Sequence, residues 1–318
     1  MTFRVAFCGN DPWSVPSLEA IAGEPDLEVA LVLTNPAKPA GRGADLRPTA
    51  VADAARRAGL PLVEVDGVRE PPGLGLLHAA RPDALVVVAY GELLSAEVLR
   101  LAPRGAVNLH FSLLPRWRGA APVAHALMAG DERTGVTVMR MDEGLDTGPI
   151  LAQLEEEIRS EDDAGTLGAR LAALGARLLV GVLRTLPDGG PPERRQDEAL
   201  ATRAPRLRPE DRVIDWAMPA ADIVRRVRAL SPEPGATTAF RGQGLKIAAV
   251  GIAHDGQGRR QDDAPAPGVI LTSDDRGVLV GVKDGGVRLL EVAPAGRKRM
   301  AAADWARGAR FTPGERLG

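Results

Sequence analysis

The stretch Gly105-Ala-Val-Asn-Leu-His-Phe-Ser-Leu-Leu-Pro-Arg-Trp-Arg-Gly-Ala-Ala-Pro122 decides how the rest of the chain is read. Its apolar start has the composition of a strand. Alternation along a strand then sends Asn108 and His110, two residues apart, out of one face at its end. A helical stretch, Ala121 to Ala129, and a strand-like run, Thr137 to Met141, follow. They lead into Met141-Asp-Glu-Gly-Leu-Asp-Thr-Gly148, a glycine-punctuated loop able to turn Asp146 back toward His110. An amide, an imidazole and a carboxylate are expected to converge.

Upstream, strands and helices alternate. Phe3 to Cys8 reads as a strand, Val15 to Ile21 as a helix and Leu27 to Thr34 as a second strand at the spacing of a βαβ unit. Ala50 to Ala58 (helix), Pro61 to Val65 (strand), Leu74 to Ala80 (helix) and the buried strand Ala84 to Ala89 continue the pattern, and Leu167 to Leu186 is a long apolar-rich helix suited to covering a sheet. The expected fold is α/β, a Rossmann-like, doubly wound, mostly parallel sheet. Tyr90-Gly-Glu-Leu-Leu94 then falls at the carboxyl edge, where such sheets bind ligands. Asn35 to Thr49 is a Pro/Gly loop of 15 residues. That exceeds the usual two to six, and it carries Lys38, Arg42 and Arg47, which suit phosphate contact.

Residues 187 to 212 are rich in Pro, Gly and charge and read as connection. The expected domains are 1–206 and 207–318. The second begins with a helix, Ala220 to Leu230, and continues in short β-like runs, Thr237 to Phe240, Leu245 to Val250, Gly268 to Leu271, Val278 to Val282 and Val287 to Val292, the pattern of a small β-barrel.

The chain has 318 residues, 45% of them hydrophobic, enough for two cores. Apolar runs such as Leu178 to Leu183 fall short of the roughly 18 to 20 residues of a membrane span, and the N-terminus lacks signal-peptide order. A cytoplasmic protein with no membrane partner is expected. The single cysteine, Cys8, excludes an intrachain disulfide and reads as a buried strand residue. The net charge of −2 hides an asymmetry: residues 208–318 hold 18 Lys+Arg against 14 Asp+Glu (+4), leaving 22 against 28 (−6) for residues 1–207. The C-terminal part is the better polyanion partner.

Several chemistries are disfavoured. Ser112, His110 and Asp146 supply the residue types of a hydrolase triad without a G-x-S-x-G elbow. The first turn, Gly9-Asn-Asp-Pro12, lacks G-x-G-x-x-G. His78, His125 and His254 lack paired metal-ligand spacing, so no metal is expected.

Asn-Leu-His-x-Ser-Leu-Leu-Pro with Gly-x-Asp-Thr-Gly closely resembles the folate-dependent formyltransferase family. Ala40-Gly-Arg-Gly43, Val87-Val-Ala-Tyr-Gly91, Val213-Ile-Asp-Trp216 and Arg297-Lys-Arg-Met-Ala-Ala-Ala-Asp304 extend the likeness over nearly the whole chain, toward the members that act on methionyl-tRNA. The resemblance implies a formyltransferase fold followed by an OB-like barrel that binds tRNA. It also implies transfer of a formyl group from 10-formyltetrahydrofolate to the amino group of methionyl initiator tRNA in translation initiation, by a monomer. Asn108 and His110 would stabilise the oxyanion, and Asp146 would support the charged imidazole and proton removal. Folate contacts would come from Tyr90, Gly91, Leu93, Leu94, Ser112, Leu113, Leu114, Pro115, Asp142 and Gly144. Transfer RNA would meet Lys38, Arg42, Arg47, Arg116, Arg118, Lys246, Arg297, Lys298 and Arg299. Two departures stand out: Gly9-Asn-Asp-Pro-Trp13 replaces a usual Gly-Thr-Pro turn, and Ala37 replaces a common acidic residue. The alternatives are a sugar-nucleotide formyltransferase and a non-catalytic tRNA or folate binding module.

Overall fold

The computed structural model describes residues 2–40, 45–68, 73–253, 266–312 and 314–318. Arg42 and His254, singled out above, lie outside them. The chain divides into two compact units: residues 1–122, 133–157 and 168–206, and residues 123–132, 158–167 and 207–318. Two short segments from within residues 1–206 thus group with the C-terminal part.

The first unit is built on β1 (Phe3–Gly9), α1 (Val15–Ala22), β2 (Leu27–Thr34), β3 (Lys38–Ala40), β4 (Asp45–Arg47), α2 (Ala50–Arg57), β5 (Leu62–Glu64), α3 (Gly73–Ala80), β6 (Ala84–Val88), α4 (Ala96–Leu99) and β7 (Ala106–His110). After α5 (Pro122–Ala129), which groups with the second unit, come β8 (Arg133–Arg140), β9 (Ile150–Glu157) and α6 (Ala164–Thr185), the last of which belongs to the first unit from Gly168 onward. Among the described residues seven strands form one sheet in the order β5-β2-β1-β6-β7-β8-β9. Pairing is parallel from β5 through β7 and antiparallel at β7–β8 and β8–β9. Every residue of β6 is buried, as a strand covered on both faces requires.

The pleat sorts the two faces. Ala6, Cys8, Leu85, Val87 and Ala106 share a core with Leu77 of α3 and Val98 of α4. Leu109, opposite in the pleat to Ala106, meets α6: a Cβ on Gly175 would stand 2.7 Å from a Leu109 methyl carbon. By length and composition α6 could cross a bilayer, a property the short-run argument missed because Arg170, Arg177 and Arg184 interrupt its apolar stretches. In this unit it serves as a core helix, with Leu171, Leu179 and Leu183 fully buried. Trp13 of the unusual first turn explains part of that packing. Its indole occupies the space beside Gly168 of α6 and stacks edge-on against Phe111 with centroids 5.7 Å apart.

The second unit contains α7 (Ala220–Leu230), β10 (Ala236–Phe240), β11 (Gln243–Ile252), β12 (Ile270–Asp274), β13 (Gly277–Val282), β14 (Gly285–Pro294), β15 (Met300–Ala301) and α8 (Ala302–Ala309). The antiparallel sheet runs β10-β11-β14-β13-β12, with β15 on β14. The C-terminal residues join its ends: Leu317 bridges to Phe240 and Arg316 to Val269. The ring is thereby closed into a small barrel around Ile223, Leu230, Ile247, Val280, Val292 and Trp305.

Candidate active site

β7 carries the first two site residues. Since Leu109 turns to α6, Asn108 and His110 emerge on the other face at the carboxyl end. The chain beyond β8 returns through Met141–Gly148. Gly148 is required there, because a Cβ would come within 1.9 Å of the Arg140 carbonyl. Asp142 braces the turn, accepting from Gly144 N (3.0 Å) and Thr147 Oγ1 (2.6 Å). The turn delivers Asp146 with φ 55°, a left-handed conformation that costs a non-glycine residue free energy.

The three predicted side chains meet. Asp146 Oδ2 lies 3.6 Å from His110 Nδ1, and Oδ1 accepts from Asn108 Nδ2 at 3.5 Å. Gly119 N donates to Oδ2 at 2.8 Å. His110 and Asp146 are both buried. His110 Nε2 stands 2.9 Å from the carbonyl of Trp117, which can only accept, so this nitrogen carries a proton and Nδ1 faces the carboxylate. Trp117 also has positive φ, at 66°. Ser112 is not a nucleophile poised on this imidazole, since its hydroxyl donates to Arg116 O at 2.6 Å.

The loop between Phe111 and Gly119 is tied from below. Thr137 Oγ1 donates to Ser112 O (2.7 Å) and accepts from Leu114 N (3.2 Å), and Gln153 Nε2 donates to Leu114 O (2.9 Å). It is tied from above by the segment read as connection. Arg118 N donates to Thr202 O (2.9 Å), Ala204 N to Arg118 O (2.7 Å) and Trp117 N to Thr202 Oγ1 (2.8 Å). Gln196 Nε2 donates to the carbonyls of Asp146 (2.9 Å) and Gly148 (2.7 Å). Sequence reasoning missed Gln196 and Thr202. Backbone and amide bonding, with no apolar periodicity, is their only signal.

Arg118 departs from the tRNA-facing placement expected of it. It is 5% exposed. Its guanidinium gives two hydrogen bonds to Glu198 (2.7 and 2.8 Å) and two to Gln196 Oε1 (2.9 and 3.1 Å). Bonding to Glu198 holds the guanidinium above its ordinary range and the Glu198 carboxyl below its own. Arg116 is exposed, with its guanidinium 4.4 Å over the Trp117 ring.

Of the other expected contacts, Tyr90 and Leu94 belong to the core beneath the sheet edge, whereas Gly91 and Leu93 are exposed. Burial pushes the Tyr90 hydroxyl up. Asn10 ties the first turn to this edge, since its Oδ1 accepts from Thr34 Oγ1 (2.9 Å) and Asn35 N (2.7 Å) and its Nδ2 donates to Tyr90 O. Leu114 packs with Met139 and Ile150, Leu113 and Pro115 are half-buried, and Asp142 and Gly144 are exposed. Lys38 and Arg47 are exposed cross-strand neighbours on the β3–β4 hairpin. In the second unit Lys246 lies 3.5 Å from Glu233, Arg299 pairs with Glu291, and Arg297 and Lys298 are exposed. No group of three or more His, Cys, Asp or Glu able to hold a metal occurs among the described residues.

Residues 4–183 match the formyl transferase family and residues 206–310 its C-terminal domain. The methionyl-tRNA formyltransferase of Solibacter usitatus is 45% identical over 317 residues, covering 99% of this chain and 98% of that protein. The chain belongs to the methionyl-tRNA formyltransferase family. The Thermus thermophilus member is 44% identical over 315 residues, covering 99% of both chains. Membership makes the protein a formyl-group transferase. Solved structures share its fold. An N-formyltransferase from Helicobacter canadensis, crystallised with folinic acid and dTDP-3-aminofucose, gives a TM-score of 0.64 at 16% identity, covering 91% of this chain and 99% of that one. HypX from Aquifex aeolicus with tetrahydrofolic acid gives 0.63 at 17%; it covers 96% of this chain, which spans about half of HypX (47%).

Proposed function

We propose that this protein transfers the formyl group of 10-formyltetrahydrofolate to the amino group of methionine carried by initiator tRNA, in the cytoplasm and as a monomer. The observation that carries the reading is the single Asp146 carboxylate facing both Asn108 and His110. Full-length identity to methionyl-tRNA formyltransferases, through the C-terminal unit, supports the acceptor.

The residues fit a folate. The exposed Leu93 and Leu145 offer apolar faces to a flat ring, and the exposed backbone at Gly91 offers polar groups to its edge. The folate supplies the formyl carbon. Attack by the acceptor amine develops negative charge on the formyl oxygen and positive charge on nitrogen. Asn108 Nδ2, with the hydrogen it does not give to Asp146, and His110 Nε2–H, exchanging the Trp117 carbonyl for the substrate, are the donors for the oxygen, and Asp146 takes the nitrogen's proton directly or through water. Collapse returns a proton to the departing folate nitrogen. No covalent enzyme intermediate is needed, consistent with the engagement of Ser112 elsewhere.

The test is incubation of purified protein with 10-formyltetrahydrofolate and, in separate reactions, charged initiator tRNA, charged elongator tRNA or amino-sugar nucleotides. Formylation of initiator methionyl-tRNA is expected. Formylation confined to a sugar overturns the acceptor assignment, and none with any acceptor overturns the activity.

A further inference from the structure

Between two anchor points the 194–204 segment crosses the site. At one end Arg194 and Ile150 exchange backbone hydrogen bonds (2.8 and 2.9 Å), and at the other Ala204 N donates to Arg118 O and its carbonyl accepts from Ala121 N. Gln196 reaches from this span to the Asp146 loop, and its amide can sit only one way. Its oxygen faces two guanidinium N–H groups of Arg118, and its NH2 faces the carbonyls of Asp146 and Gly148. A flipped amide would oppose donor to donor and acceptor to acceptors at every one of these contacts. Arg118 is itself fixed by two hydrogen bonds to Glu198.

The residue that Gln196 grips is the strained one. Asp146 has φ 55°, and this backbone conformation aims its carboxylate at Asn108 and His110. We infer that Gln196 is a positioning residue for formyl transfer, holding the Asp146 backbone in its left-handed conformation, with Arg118 and Glu198 fixing the orientation of the Gln196 amide. This rests on the catalytic reading of Asn108, His110 and Asp146 above. Gln196 touches no reacting atom and acts through Asp146.

Gln196→Met keeps the length and removes the amide. Single-turnover formylation at saturating substrates is expected to fall about tenfold to a hundredfold, the scale of a misplaced catalytic group. KM for both substrates should stay within about twofold, since ground-state binding is not what is lost. In an Asp146→Ala background the same change should cost less than about twofold, because nothing remains to be positioned. The imidazole proton resonances of His110 should move in Gln196→Met, as they should in Asp146→Asn. Gln196→Glu sets a carboxylate oxygen against two carbonyls while keeping Arg118 paired; it should show the same loss, and it serves if Gln196→Met does not fold. Unchanged turnover in the folded variants, losses that multiply with Asp146→Ala, or a stationary His110 resonance overturns the proposal. A wild-type protein inactive on every acceptor overturns the functional reading instead and leaves positioning to be decided by the His110 resonance.

Discussion

The carboxylate of Asp146 lies 3.6 Å from Nδ1 of His110 in a buried pair, and the carbonyl of Trp117 fixes the other face of the imidazole. Asp146→Asn keeps the shape, and its amide oxygen still accepts from Gly119 N, but the charge and the basic site disappear. Single-turnover formylation should fall about a hundredfold to ten-thousandfold, while thermal unfolding stays unchanged or moves upward. Near-normal turnover would remove Asp146 from the chemistry.

Gly119 marks where the loop above His110 is pressed against the crossing segment. It has φ +128°, and a Cβ would stand 2.5 Å from the Ala204 carbonyl oxygen. Gly119→Ala must therefore distort its backbone and push the segment away, at a cost of about 2 kcal/mol or more in denaturant unfolding. Because Gly119 N holds Asp146 Oδ2, turnover should fall with stability. A stable, fully active variant would mean that the segment yields freely.

The strands and the site residues on them were legible because burial writes itself into sequence. Ala84–Val88 is continuously apolar since it is covered on both faces, and Asn108 and His110 interrupt Ala106–His110 at the spacing of the pleat. Asp146 was legible through the glycines that let its loop fold back. Arg118 was not, because an arginine in a Pro/Gly loop has the same composition whether it faces water or is buried on Glu198. Gln196 was hidden for a related reason: its segment is fixed by hydrogen bonds, which leave no periodic apolar residues. β9 escaped notice because charged residues fill its last three positions, Glu155 to Glu157.

Cys8, in the middle of the first unit's core, is fully buried, and burial, aided by the charge of Glu92, pushes its thiol from 9.0 up to about 12. It should resist thiol reagents at neutral pH until the chain unfolds. The sign of the linkage follows. The folded state keeps the proton longer than the unfolded state, so this contribution to stability is complete below pH 9 and is lost as pH rises from 9 toward 12. Labelling rate measured against urea concentration checks the first point, and unfolding of wild type and Cys8→Ala from pH 8 to 11 checks the second. Fast labelling of the native protein would contradict the burial.

Lys38 and Arg47 stand opposite each other on β3 and β4, both exposed. If the hairpin meets the acceptor stem, Lys38→Ala and Arg47→Ala should each weaken tRNA binding and lower the slope of log affinity against log salt by roughly one. Folate binding should be unaffected. Equal losses for both substrates would place these side chains away from the tRNA.

Leu317 is where the barrel depends on its last turn of chain. Its side chain is 4% exposed in the second core. Its backbone N donates to Gly268 O at 2.8 Å, and it bridges to Phe240, so one residue ties the β10 edge to the approach to β12. Leu317→Ala should destabilise the second unit by about 2 to 5 kcal/mol, the range for emptying a buried leucine site. Removal of residues 314–318 should do more, because it also exposes two unpaired strand edges to water and to other copies of the chain. Calorimetry should then show the transition of the C-terminal unit shifted down or missing, with aggregation on heating. An unaltered melting profile in the shortened protein would mean that the barrel closes without these residues.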